Sequence, residues 1–437
     1  MLLTASSAVR FVQNKLIPAL PALRRWVGRG FWAVLDQALF AGSNFLVGVL
    51  LARWLEPAAY GAFSTAYSVF MLVGTLHTGL WTEPMLVYGS GRFRESFRGY
   101  QRALIADHWR LLFLSTLAFT GVGGFFLLRG ASELGLSFLG LGVATPLILY
   151  LWLVRRSAYV LIEPRLAAGG GALYMVLYLG CAGGLFRLGW LNEATAFLAM
   201  GGTALVAGGF IFSRVQKRLP GPDTAEPSPG QVRRLHWEYG RWALLAGALS
   251  WVPGNIYYVL LPLFSSLEAS ATLKALYNLL MPVLHFNGAI SSLFIPLFTH
   301  AKESKSLRRV CARVLIILLI PACIFWVLLI FEGNQLMFWV YGGRYLESSK
   351  LLSWMGLLPV SSVFTGTFGG ILRAMERPQK IAGIYSINAI ISSSLSFLMI
   401  PLFGGIIGAG STVVIVNLIS ALLFTISGFK EMQEKAG

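Results

Sequence analysis

Residues 31–63 read FWAVLDQALFAGSNFLVGVLLARWLEPAAYGAF. From Phe31 to Arg53 this run is long and apolar enough to cross a bilayer, which needs roughly 20 mostly apolar residues. A single acid, Asp36, interrupts it. The Glu56–Pro57 step then stops the helix, because a residue before proline is pushed out of helical geometry. A second apolar run starts at once. Two such runs with a short joint make a membrane hairpin, and the rest of the chain repeats the pattern.

Working outward, the first half holds apolar stretches at about 31–53, 60–81, 108–128, 134–154, 167–187 and 190–213. The second half holds them at about 240–264, 270–298, 311–331, 350–372, 381–402 and 405–428. The segment 270–298 carries Pro282 and Pro296, so its end is expected to kink or run along the interface. The expected fold class is an all-α integral membrane protein of about 12 transmembrane helices in two six-helix bundles. Composition agrees. The 437 residues are 56% hydrophobic and 12% charged, where a soluble domain is about a quarter charged. Cys181, Cys311 and Cys323 lie in or beside apolar stretches without metal-site spacing and read as packing residues.

A net charge of +17 usually suggests nucleic acid. Here the cations are dispersed over short loops, where cytoplasmic retention of Lys and Arg is the simpler cause. With both termini inside, all of the 35 Lys and Arg except Arg53, Arg129, Arg187, Lys274, Arg344 and Lys350 fall on the cytoplasmic side. One missed span would invert every later loop, so the bias supports the N-in, C-in orientation. It predicts a cytoplasmic arm at 1–30, a bundle at 31–213, a flexible Pro- and Gly-rich linker at 214–239, a second bundle at 240–428 and a cytoplasmic tail at 429–437. Two six-helix halves suggest a pseudo-twofold axis along the membrane normal.

Catalytic and metal motifs are missing. The three aspartates, Asp36, Asp107 and Asp223, are far apart in sequence. The chain has no phosphate-cradling Gly-rich loop and no His-Glu-x-x-His pair. An enzyme, a metal and a cofactor are therefore not expected.

Polar residues within spans carry more information, since each is costly in lipid and must face a partner or water. On the first span, Asp36, Gln37, Phe40, Ser43 and Asn44 share one face. That face reads as a lumen or as a hydrogen-bonded knot between helices. Lys274, Asn278, His285 and Ser292 form a second stripe on the eighth span. Lys274 reads either as an anion-binding group or as a side chain snorkelling to the headgroups. His77 and Glu83 flank the inner end of the second span, and His77 is a candidate proton-linked group or a packing residue. Asn255, Tyr257 and Tyr258 follow Pro253–Gly254, which predicts a broken helix exposing polar groups, or a simple proline kink. Arg53 reads as a gate or headgroup anchor.

The run Gln37, Asn44–Phe45, Leu51–Ala52–Arg53, Leu55, Pro57, Tyr60–Gly61 and Phe63 resembles the opening of Wzx-type polysaccharide flippases. These belong to the superfamily that also holds MATE exporters and lipid II flippases. Tyr341–Gly342, Tyr345, Ser348–Ser349 and Leu351–Leu352 are similar to that family's outer loop before its tenth span. The segments Leu372–Arg373–Ala374 with Arg377–Pro378, and Pro401–Leu402–Phe403–Gly404 with Gly408–Ala409, extend the likeness over most of the chain. It implies transport of a polyprenyl-pyrophosphate-linked oligosaccharide across a bacterial cytoplasmic membrane, beside polymerase and export partners. Alternating access by rocking of the two bundles is expected; with no ATP-binding loop in the chain a cation or proton gradient is the expected drive, and Asp36, the solitary acid within a span, is the expected coupling residue. The chain departs from the lipid II branch in lacking an arginine cluster within its first bundle. A MATE-like exporter of small cations and a non-transporting scaffold are the rival expectations.

Overall fold

The protein is described by a computed structural model covering residues 17–219, 227–303 and 306–434. Among these residues every long element is a helix, and twelve are long and apolar enough to cross a membrane. We number the spans in chain order. Spans one to six are Gly30–Trp54, Pro57–Ser90, Phe97–Leu128, Ser132–Val160, Pro164–Arg187 and Glu193–Gln216. Spans seven to twelve are Pro229–Phe264, Leu267–Ala301, Leu307–Tyr341, Leu346–Ala374, Pro378–Phe403 and Gly405–Glu434.

Local chemistry sets the ends. Spans two, five, seven and eleven open with proline in the first turn, where its missing N–H costs nothing. Span six opens on a capping box, with Asn192 and Thr195 each accepting from the other's backbone N–H at 2.8 Å. Span nine closes on Gly342 at φ +66°, the left-handed position that favours glycine.

Several expected boundaries are corrected. The helix of span one begins by Ile17, inside the predicted arm, while residues 1–16 lie outside the described residues. The predicted linker is narrowed, since helix continues to Gln216 and resumes at Pro229; its residues 220–226 lie outside the described ones. The predicted tail is helical to Glu434. Span seven is a continuous helix through Pro253, so the expected break there is absent. Span eight does break, at Phe294, and resumes with Pro296 in its first turn. Span two runs past its expected end to Ser90 through a π-turn at Thr78–Thr82.

Lipid-facing surfaces are apolar. Ile316, Ile320, Ile324, Phe331 and Trp339 on span nine are all exposed, an arrangement stable in hydrocarbon and not in water. Inside, one core runs through spans two to six and joins the outer halves of spans eight, nine, ten and twelve. The inner halves of the last five spans build a separate core around Phe298, Leu318, Val363, Phe368 and Phe424, while span seven joins the first core from Val232 to Leu261. The two halves thus share one core at the outer end and along span seven, while the inner halves of spans eight to twelve pack in a core of their own.

Close backbone packing makes that fusion tight. A Cβ added at Gly61 would sit 1.8 Å from the Leu267 carbonyl oxygen. A backbone oxygen on a neighbouring helix cannot swing aside as a side chain can. Gly61→Ala is expected to cost about 1–3 kcal/mol or more from overpacking, read as a lowered thermal unfolding midpoint in detergent.

Candidate functional site

Three seams position the site. Spans two and seven run antiparallel in contact along their length. Thr65 Oγ1 donates to the Tyr258 carbonyl at 2.9 Å, Trp251 Nε1 donates to the Ser68 carbonyl at 2.8 Å, and Gly240 abuts Leu80. The outer ends form a second seam. Arg344 donates to the Leu55 carbonyl and pairs with Glu56 at 3.5 Å, and Tyr345 Oη donates to the Ala52 carbonyl at 3.2 Å. The Arg53 guanidinium lies against the Gly342 backbone. Third, Asn278 Nδ2 donates to Tyr60 Oη at 2.9 Å and packs on Gly48, closing spans one, two and eight together near the outside.

Below this closure spans one and eight separate, while spans two and seven stay in contact. Gln37 and Ala38 on span one and His285 and Gly288 on span eight are exposed. A Cβ added at Gly42, Gly254 or Gly288 would meet nothing within 4 Å. Between the halves lies a cavity of about 470 Å³. Its walls are largely aromatic, with Phe40, Phe63, Tyr67, Trp152, Tyr178, Tyr258 and Tyr277. Asn44, Asn255 and Asn278 add amides, Lys274 and His285 are the basic groups, and no acid lines it. The Lys274 ammonium lies 5.3 Å from the Tyr67 ring centre and 5.6 Å from that of Tyr258. These ring faces stabilise a cation without neutralising it. Among the described residues no carboxylate pairs with Lys274, so its charge is available to an anion in the cavity.

The structure thus brings six sequence candidates, Asn44, Asn255, Tyr258, Lys274, Asn278 and His285, into one cavity wall. It places the others elsewhere. Asp36 is corrected from a lumen position to an internal ion pair. Its carboxylate is fully buried and accepts from Arg155 Nε at 2.8 Å, from Arg155 Nη2 at 2.7 Å and from Tyr159 Oη at 2.6 Å. Phe40 stands between that pair and the cavity, stacked on the guanidinium at 4.4 Å. Gln37 is exposed and outside the wall. His77 is buried within span two's contact with span three, Glu83 is exposed beyond it, and Arg53 sits in the outer seam. Tyr257 turns away into the second half, sharing a hydrogen bond with Ser392 at 3.0 Å.

Sequence reading missed Arg155 by counting it among loop cations, although it lies in span four, facing Asp36. It also missed His108, which faces His77 at 3.1 Å. The residues of the first hairpin and of the 341–349 loop, noted for their likeness to one family, meet in the outer seam. Their separation of nearly 300 positions hid that contact.

No protein-family model matches the chain, and no curated protein matches it. Solved structures do. The chain superposes on a multidrug resistance MATE family transporter of the MOP superfamily in an inward-facing conformation, with a TM-score of 0.74 and 14% identity over 92% of this chain and 99% of that one. For an outward-facing MATE family transporter the TM-score is 0.63, with 12% identity over 93% and 96%. For a MOP superfamily transporter from Pyrococcus furiosus, described by a binding pocket of reverse polarity that suggests a different function, it is 0.64, with 13% identity over 93% and 96%. At these identities the likeness establishes the fold.

Proposed function

We propose that this chain is a membrane transporter of the flippase type. It would carry a polyprenyl-pyrophosphate-linked oligosaccharide from the inner to the outer leaflet of a bacterial cytoplasmic membrane, supplying surface polysaccharide polymerase and export proteins. The observation that carries this reading is the cavity between the two halves, which has basic and aromatic walls and no acid. A pyrophosphate bearing sugars cannot cross hydrocarbon unshielded, because each buried polar or charged group left without a partner costs several kcal/mol or more. Here Lys274 meets the anion, the Asn44, Asn255 and Asn278 amides meet hydroxyls, and aromatic faces cover apolar sugar faces. The parted inner halves of spans one and eight let a lipid tail remain in the bilayer.

Loading from inside and release outside then require the outer seam to open while the inner ends close, an alternating access by rocking of two halves. A cation or proton gradient supplies the drive. The MATE-like reading, export of small cations, is disfavoured by the same cavity, since the nearby acid Asp36 is already neutralised by Arg155. The Pyrococcus furiosus transporter offers a precedent for reversed pocket polarity on this fold.

The test is leaflet accessibility of the lipid-linked oligosaccharide to a membrane-impermeant probe in cells depleted of the protein. Accumulation on the cytoplasmic face, reversed by the wild-type chain, is the expected result. An unchanged distribution, in a strain without a second flippase, sinks the proposal and favours small-molecule export.

A further inference from the structure

Asp36 is bound up with Arg155, so the drive needs another titratable group, and the fold holds a buried one. His77 on span two and His108 on span three are 2% and 0% exposed. His108 Nε2 lies 3.1 Å from the Pro146 carbonyl of span four. A carbonyl only accepts, so that nitrogen carries the proton and His108 Nδ1 is an acceptor. His77 Nε2, 3.1 Å from Nδ1 of His108, must therefore donate. His77 Nδ1 is left bare, a buried lone pair with no hydrogen-bond partner. Orphaned buried polar atoms are uncommon in folded proteins.

The surroundings hold this vacancy neutral. The His77 ring stacks on Trp81 at 5.1 Å. Span three presents His108 itself; its neighbour Asp107 is taken up by Arg233 at 3.1 Å and Arg110 at 3.5 Å. Span four presents the Pro146 carbonyl and the Tyr150 ring, 6.2 Å from His108. Span seven presents Arg233, committed to Asp107, and His236, committed to Leu80 and Tyr100. Glu83 on span two is exposed and outside the cluster.

The pair is also tied to the seam between the halves. The π-turn Thr78–Thr82 starts at the residue after His77, and such turns recur at functional positions in helices. Its Gly79 packs on Ala243 of span seven, where an added Cβ would be 3.1 Å away. Its Leu80 carbonyl accepts from His236 Nδ1 at 2.6 Å, and His236 Nε2 bonds Tyr100 Oη at 2.6 Å. Span seven therefore holds in place the turn that follows His77. When rocking shifts span seven against span two, these contacts change and water can reach the pair.

We propose that the His77–His108 pair is the proton-binding site of the transport cycle, empty in the outer-closed state and filled by one proton at His77 Nδ1 when span seven shifts against span two. This rests on the alternating-access reading above. Protonation then favours the opposite state, so acid shifts the population away from the outer-closed arrangement.

The test uses the full chain with its three cysteines replaced by serine, reconstituted in lipid and spin-labelled through Leu188→Cys and Lys350→Cys on the two outer rims. The distance between labels is followed from neutral pH to about pH 5. Expected is a short distance at neutral pH, a longer population growing on acidification, and loss of that response in both His77→Gln and His108→Gln. Nitrogen-15 histidine spectra of the unsubstituted chain provide a second readout that needs no variant. Both rings should be Nε2–H tautomers at neutral pH, and one should gain a second proton as the long distance appears. Two populations whose balance ignores pH, or shifts equally in His77→Gln, overturn the proton site while leaving alternating access standing. A single distance under every condition overturns both.

Discussion

Lys274→Gln is expected to lower transport of a pyrophosphate-linked substrate sharply while leaving the fold intact. A hydrogen bond to a charged group is worth about 1.5–3 kcal/mol, which corresponds to about 10- to 150-fold in affinity. Lys274 is the one fixed cation in the cavity wall; His285 is its other basic group. No acid competes for the Lys274 charge, so the full interaction belongs to the substrate. Lys274 also makes no ion pair within the described residues, and its removal costs the fold only its contacts with the Tyr67 and Tyr258 rings. Lys274→Arg should retain most activity, and Lys274→Glu should abolish it. The measurement is the initial rate in the leaflet assay alongside thermal unfolding in detergent. An unchanged rate in Lys274→Gln removes this residue from the path and returns weight to a scaffold.

The opposite pattern is expected for Asp36→Asn and Arg155→Met. Each leaves a buried charge, or its remnant polar group, without a partner, and breaking a buried pair in this way costs about 3–5 kcal/mol. Asp36 is fully buried, and Arg155 holds it through both Nε and Nη2. The single variants should unfold earlier or fail to accumulate. The double variant Asp36→Leu with Arg155→Met should recover much of the loss, because an apolar pair of similar volume needs no partner. Any transport left in the double variant should keep its gradient dependence. If Asp36→Asn instead stays fully stable and transport no longer responds to the gradient, the carboxylate is the coupling group after all.

These two residues show how far the sequence carries. Both were legible as polar positions within apolar runs, and for each a lumen-facing reading stood beside a structural one. Only Lys274 lines the cavity. Helical periodicity places a residue on a face, and both residues lie on faces turned inward. It does not say whether the next helix brings a counter-ion. For span one the answer lies on span four, where Arg155 sits near the end of a run and reads as a loop cation. The same blindness hid His108, whose partner is 31 positions away, and the outer seam, whose two sides are separated by most of the chain.

The number of spans, their order and the orientation implied by Lys and Arg were determined by the sequence, because bilayer thickness and backbone desolvation act on each segment by itself. The stop after span one was determined the same way, through the Glu56–Pro57 step. Tertiary structure decided which polar groups meet one another and which are left facing the cavity. Whether a buried charge is spent within the fold or kept for a ligand depends on a partner within about 4 Å, and that partner comes from distant sequence.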